Sequence, residues 1–334
     1  MPPVTERVIE TRIGRGGRVE SRHRAVAVAI PAGGAPIRFG DRDPGTFLRS
    51  VAKPFQTLVL FREGVVDHYG LTDDELAVIT ASHGGEPEHR RRAEGILRRG
   101  GFSVADLRCG THPPTTASER RRMIEERESP DALANNCSGK HAGMLLLCSR
   151  LGADPARYLE PDQPVQRAVA KMLSAFLGID LAGASATDGC SAPTWFAPIE
   201  AIARAFSRLG DRVFLAEHGL ENAAERLHRA LGAAPRLFSG EERFPFLWSP
   251  FLAPALLSKE GAEGVFVVWG EPGALAVKSI DGGERGYRYA VPALLDRLGW
   301  ISPAEHARWR QLDRPVVKSV VGAEVGSIEV EIPG

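Results

Sequence analysis

Two hydrophobic rhythms divide the chain. Residues 18–30, RVESRHRAVAVAI, carry apolar side chains at alternate positions and run on to Gly33-Gly34, which predicts a strand feeding a turn. Near the other end, GVFVVWG (264–270) and ALAVKSI (274–280) flank Glu271-Pro272-Gly273 and predict a β-hairpin. VGSIEVEI (325–332) alternates again. Between these the period becomes helical, over 50–63, 73–81, 87–99, 117–128, 140–151, 161–176, 194–209 and 217–231, with one more stretch at 290–298. Strands at both ends and helices between them predict an α/β (α+β) fold. Its central sheet would be antiparallel-rich and built from roughly 1–50 and 260–334, with a helical layer or subdomain from roughly 50–255 in a single domain spanning 1–334.

Composition works mainly by exclusion. Lys plus Arg equals Asp plus Glu at 42 each, so nothing favours a nucleic-acid or anionic-membrane partner. Arg90–Arg92 and Arg120–Arg122 lie in mixed-charge helical stretches and read as solvated faces. No apolar run approaches the roughly 20 residues that cross a bilayer. The first residues lack a basic-then-apolar leader, so a cytoplasmic location is the expectation. Cys109, Cys137, Cys148 and Cys190 are too few and too scattered for a disulfide framework. Cys109 and Cys148 suit buried structural thiols.

Four stretches carry candidate chemistry. In LRSVAKPFQ (48–56), Ser50 and Lys53 are three apart, a spacing that puts them on one helical face. Pro54 is tolerated only in a first turn, so the helix should start near Ser50 and set its hydroxyl at the positive end. A capping serine and a solvated lysine would look the same. In ITASHGGEPEH (79–89), Ser82 and His83 precede Gly84-Gly85, which permits close backbone approach to a ligand or simply a turn between helices. In LLSKEGAEGVF (256–266), Lys259 stands at the entrance to a strand. The order Ser-x-x-Lys, loop serine, Lys-x-Gly resembles that of penicillin-recognising serine enzymes. NNCSGKHAGML (135–145) offers Cys137, Lys140 and His141, and DGCSAPTW (188–195) offers Asp188 and Cys190. Two cysteines, a histidine and an aspartate suggest zinc, although the spacing is not that of a zinc finger. Buried structural cysteines are the alternative.

Taken together, RSVAKPFQ, ASHGGEPEH, CGTHPP (109–114), NNCSGKHAGML, DGCSAPTW and SKEGAEGV resemble, in order, the signature blocks of the asparaginase II family, the thermolabile zinc-containing asparaginases. The resemblance runs from about Glu10 to the final strand. It implies a serine β-lactamase/glutaminase-like fold. It also implies L-asparagine as a small-molecule substrate, hydrolysed to aspartate and ammonia through an acyl-enzyme. Two serine–lysine pairs are implied, Ser50 with Lys53 and Ser82 with Lys259, along with one zinc ion per chain on Cys137, Lys140 and Cys190. Arg49, His83, Asn136, His141 and Asp188 would face the substrate, His141 and Asp188 close to the metal. A homodimer is implied as well. Ser50 is the first choice of nucleophile and Ser82 the second. Either lysine must be neutral to act as a base, so its ordinary pKa near 10.4 has to fall by several units. One departure bears on substrate preference: FPFLWSPFLAPALLSKEG (244–261) is bulkier and richer in proline than the family pattern. Glutamine, another amide or a β-lactam as substrate, and an inactive zinc- or amino-acid-binding relative, are the alternatives.

Overall fold

The computed structural model describes residues 7–41, 43–181, 183, 185–252 and 256–333. It divides into two compact units, one holding residues 1–46, 197–207 and 248–334, the other 47–196 and 208–247.

The first unit is built on an antiparallel sheet. In spatial order its strands are Val316–Lys318, Glu324–Glu331, Ile9–Arg15, Arg18–Pro31, Gly273–Ser279, Val265–Gly270 and Leu256–Gly261, and Ile37–Phe39 pairs with Arg18–Pro31. The two chain ends therefore meet in its middle, as the pattern predicts, with Ile13 opposite Ile328. The predicted hairpin forms with Gly270 opposite Gly273. Ala25–Ile30 and Val265–Trp269 are buried at every position rather than alternate ones, so both faces of the sheet are covered. Phe266 stacks on Tyr287 of the short helix Arg285–Arg288, while Trp269 meets Phe206 of the helix Ile199–Ser207. Residues three apart on a strand point to opposite faces, so these two helices form separate layers. Each such buried aromatic contributes about 1.5–3 kcal/mol.

The stretch expected to be helical over 194–209 splits. Pro193–Ala197 is a strand, and the helix starts only at Ile199. The carboxylate of Asp43 caps it, accepting from Ile199 N–H at 2.6 Å and Glu200 N–H at 2.9 Å. Lys259 is not at a strand entrance but inside Leu256–Gly261, opposite Val267 and buried. The helix Pro303–Leu312 escapes the apolar period, although its capping box, Ser302 with Glu305, is legible as S-x-x-E.

The second unit is helical. At its centre lies Ser138–Leu151, buried on all sides from Ser138 to Cys148. The helices Lys53–Arg62, Asp73–Thr80, Pro87–Arg99 and Pro164–Leu177 pack around it. Close approach depends on Gly139, where a Cβ would lie 2.3 Å from the Val78 carbonyl oxygen. The stretch expected over 217–231 is two helices, Arg212–Glu217 and Glu221–Ala233, separated at Gly219 in the left-handed region. Among the described residues no helix is long and apolar enough to cross a membrane.

Candidate active site

The candidate residues of the helical unit come from three places brought together by its core. The first is the entry to the helix Lys53–Arg62. Arg49–Ala52 forms one 3₁₀ turn and regular helix begins at Lys53, with Pro54 in the first turn. Arg49 adopts φ +48°, a left-handed conformation that costs a residue with a side chain about 1–2 kcal/mol. Two long-range bonds hold it there. Its N–H donates to Thr194 Oγ1 at 3.1 Å, and its Nε donates to Asp188 Oδ2 at 2.5 Å.

Asp188 belongs to the second place, the turn between the short paired strands Ser185–Thr187 and Pro193–Ala197. Its N–H donates to Ala192 O, and its Oδ1 accepts from Cys190 N–H. Burial works against its charge, but Lys140, the Cys190 amide and Arg49 outweigh it and hold the carboxyl below its ordinary range.

The third place is the head of the helix Ser138–Leu151, which carries Cys137, Lys140 and His141. Lys140 Nζ donates to Cys190 Sγ at 2.9 Å. Cys190 and Cys137 are hydrogen-bonded to each other. That bond, against burial and with both lysines assisting, pulls Cys137 down and leaves the shared proton on Cys190, which is pushed up. Burial alone would lower Lys140; the two sulfurs raise it instead. Two thiols and an amine, each at most 5 % exposed, converge on one point. That soft, closed donor set fits a zinc ion with a fourth position left for water or substrate. Among the described residues no group of three His, Cys, Asp or Glu side chains is placed to hold a metal; here the third donor is a lysine.

Lys53, 1 % exposed, lies between these places. Its Nζ donates to Ala81 O at 2.5 Å and to Asn136 O at 3.4 Å, and it lies 3.2 Å from Ser82 Oγ. Burial lowers its pKa. Cys137 opposes the shift and Lys140 reinforces it. Ser82 comes just after Ala81, the C-cap of the helix Asp73–Thr80, and Lys53, twenty-nine residues away, is the lysine beside it within this unit. Lys53 N–H donates to Ser50 O, but no side-chain hydrogen bond joins the two among the described residues, and Ser50 is half-exposed. Lys259, the expected partner of Ser82, belongs to the sheet unit.

Of the expected substrate contacts, His83 is fully buried with both ring nitrogens engaged inside the protein. Gly85 N–H donates to its Nδ1 and its Nε2 lies 3.0 Å from Ser138 Oγ. His141 Nδ1 lies 2.6 Å from the Tyr158 hydroxyl, which accepts from Arg108 N–H. Its Nε2 is buried without a partner among the described residues. Burial, then the charges of Lys140 and Lys53, keep this ring neutral. Asn136 uses its backbone carbonyl on His83 N–H and Lys53, while its side-chain amide makes no hydrogen bond among the described residues. Cys109 and Cys148 stay thiols, burial pushing both up to about 12. Sequence reasoning did not single out Glu86, His89 and Tyr158. The first two stand inside the quoted ASHGGEPEH block, but Tyr158 has no local signal.

Comparison with protein families finds that the model for "L-asparaginase II" matches residues 11–330. Comparison with curated proteins gives no significant match. Among solved structures, a probable glutaminase from Bacillus subtilis complexed with 6-diazo-5-oxo-L-norleucine aligns over 83% of this chain and 85% of its own. The identity is 11% and the TM-score 0.37.

Proposed function

The chain belongs to the L-asparaginase II family and is an amidohydrolase, and from that premise we propose that it hydrolyses the side-chain amide of L-asparagine by acyl transfer to a serine. The observation that carries this reading is the setting of Lys53. A serine hydroxyl needs a base, and a lysine serves only as the neutral amine, which burial favours here. A neutral amine has two N–H groups and one lone pair. Ala81 O, Asn136 O and Cys137 offer acceptors for the N–H groups, and Ser82 Oγ at 3.2 Å is within reach of the lone pair.

In this reading Ser82 Oγ gives its proton to Lys53 and bonds to the amide carbon. Lys53 returns the proton to the nitrogen, the C–N bond breaks and ammonia leaves. Water then cleaves the ester. A second reading rests on Ser50. Positions 50 and 53 are i and i+3 across a 3₁₀ turn, where side chains eclipse, and Ser50 follows the strained Arg49. Ser50 would then attack, and Ser82 would pass the proton from Lys53 to the departing ammonia.

Arg49, fixed through Nε by Asp188, keeps its terminal N–H groups for the substrate α-carboxylate. The Asn136 amide and His141 Nε2 are polar atoms left for the substrate. Cys137, Lys140 and Cys190 would hold a zinc ion, which when bound supplies a fixed positive charge that orients the substrate and disfavours protonation of nearby amines.

Ammonia release from asparagine and from glutamine tests the substrate, with a much higher kcat/KM for asparagine as the expected result. Equal release from both, or hydrolysis of a chromogenic β-lactam alone, would sink the assignment. Acid-quenched peptide mass spectrometry separates the serines: the aspartyl ester on Ser82 supports the first reading and on Ser50 the second. An ester on neither serine at any quench time rules out the acyl route.

A further inference from the structure

The segment after Ser82 encloses an ion pair that the acyl-transfer scheme leaves unused. Glu86 precedes the helix Pro87–Arg99 and His89 lies in its first turn; their side chains are 8% and 1% exposed. His89 Nδ1 is 2.5 Å from Glu86 Oε2, and its Nε2 is 3.1 Å from Arg236 O. Arg236 O takes the hydrogen of Nε2, and the short Nδ1 contact with the Glu86 carboxylate is an ion pair when that nitrogen carries hydrogen as well. Thr116 Oγ1 donates to Glu86 Oε1 at 2.7 Å. Burial disfavours the charge on Glu86, yet His89 and then Thr116 prevail and hold its carboxyl at about 2. A sealed pair of this kind is weak evidence of stabilisation, because apolar residues fill such sites as well.

The pair touches the site through one ring. His89 stacks on His83, with centroids 4.8 Å apart and planes 9° from parallel. Gly85 N–H donates to His83 Nδ1 at 3.2 Å, which places the His83 proton on Nε2. Nε2–H then donates to Ser138 Oγ at 3.0 Å, and Ser138 Oγ donates to Leu133 O at 3.0 Å. His83 N–H also donates to Asn136 O, the carbonyl that takes an N–H from Lys53. A cation against its face disfavours a second proton on His83; burial first, and His89 next, hold the ring well below its ordinary pKa.

We propose that Glu86 and His89 are positioning residues for the serine site: the stacked imidazolium fixes His83 in its Nε2–H form, and the His83–Ser138 bond holds Ser82 and Lys53 in register with the head of the helix that carries Lys140. This rests on the reading of Lys53 as the base. The role is distinct from stabilisation, because it predicts a change in turnover that outlasts any change in folding.

Two measurements on the whole chain test it, using Glu86→Gln, His89→Gln and the double variant. Ring-nitrogen NMR of the wild type should show His89 protonated on both nitrogens and His83 in the Nε2–H form alone; a neutral His89 or an Nδ1–H His83 overturns the proposal. Kinetics per folded protein should show kcat down about 10–100-fold in each single variant, KM within about threefold, and no further loss in the double variant. Wild-type kcat in the folded variants overturns it, even if Tm falls, since a structural pair lowers Tm alone. If a single variant does not fold, the double variant carries the same comparison, because it leaves no lone buried charge. Wild-type protein that releases ammonia from no amide defeats the amidohydrolase reading instead and leaves the NMR result to decide the positioning.

Discussion

Lys53 and Lys140 share one helical unit and similar burial, yet their surroundings drive them in opposite directions. The sulfurs act on both: at Lys53, which also bonds two carbonyls, burial outweighs them, and at Lys140, which bonds Cys190, they outweigh burial. Lys53→Met should therefore lower ammonia release about 10²–10⁴-fold while leaving Tm nearly unchanged, since an apolar chain of similar length replaces an amine that burial already disfavours. Retained turnover in that variant would remove Lys53 from the mechanism. Cys190→Ser should cut the zinc content of purified protein, measured by elemental analysis, well below about one ion per chain; unchanged content would place the metal elsewhere. Glu86 sets a pH dependence. Its carboxyl falls from 4.5 to about 2 on folding, so its stabilisation is complete above 4.5 and is lost as pH falls toward 2. Between pH 5 and 2.5 the wild type should lose about 2 kcal/mol more than Glu86→Gln by thermal unfolding, and parallel curves would refute the buried pair. Much of this was legible as residue types in short motifs. Which partner each residue takes was not. Arg49 bonds to Asp188, 139 positions along the chain, which no local pattern encodes.

At the scale of elements, period and punctuation located Asp73–Thr80, Pro87–Arg99 and Ala290–Arg297 to within a residue or so. They failed where a distant group decides the boundary. The helix at Ile199 starts where Asp43 caps it, and Lys259 lies mid-strand because its neighbours Leu256 and Leu257 join the sheet. The strand Ile9–Arg15 is too short and too mixed to stand out without its partner Glu324–Glu331. Within NNCSGKHAGML the closest packing is at Gly139. Gly139→Ala should cost about 1–3 kcal/mol, seen as a lower Tm, because the clash is with backbone that cannot step aside. Gly143→Ala, whose Cβ would meet only side-chain methyl groups of Leu60 and Ile79 at 3.1–3.2 Å, should cost less. Equal Tm values for the two would mean that the Val78 contact is not tight.

For the whole molecule, strands at the ends and helices between them were enough to foresee a sheet assembled from both termini. They were not enough to foresee that the helix Ile199–Ser207 belongs with the sheet, since its apolar face looks the same whichever layer it covers. The pairing of Ile9–Arg15 with Glu324–Glu331 has a consequence for biosynthesis. A growing chain presents its first strands some three hundred residues before one of their neighbours is translated. The helical unit is complete in sequence by residue 247, whereas the sheet closes only once Val316–Lys318 and Glu324–Glu331 have been made. Until residue 279 is made the strand from Arg18 to Pro31, apolar along Ala25–Ile30, has its near partners Ile9–Arg15 and Ile37–Phe39 but lacks Gly273–Ser279, so chains cut short before that strand should aggregate more readily than the whole chain.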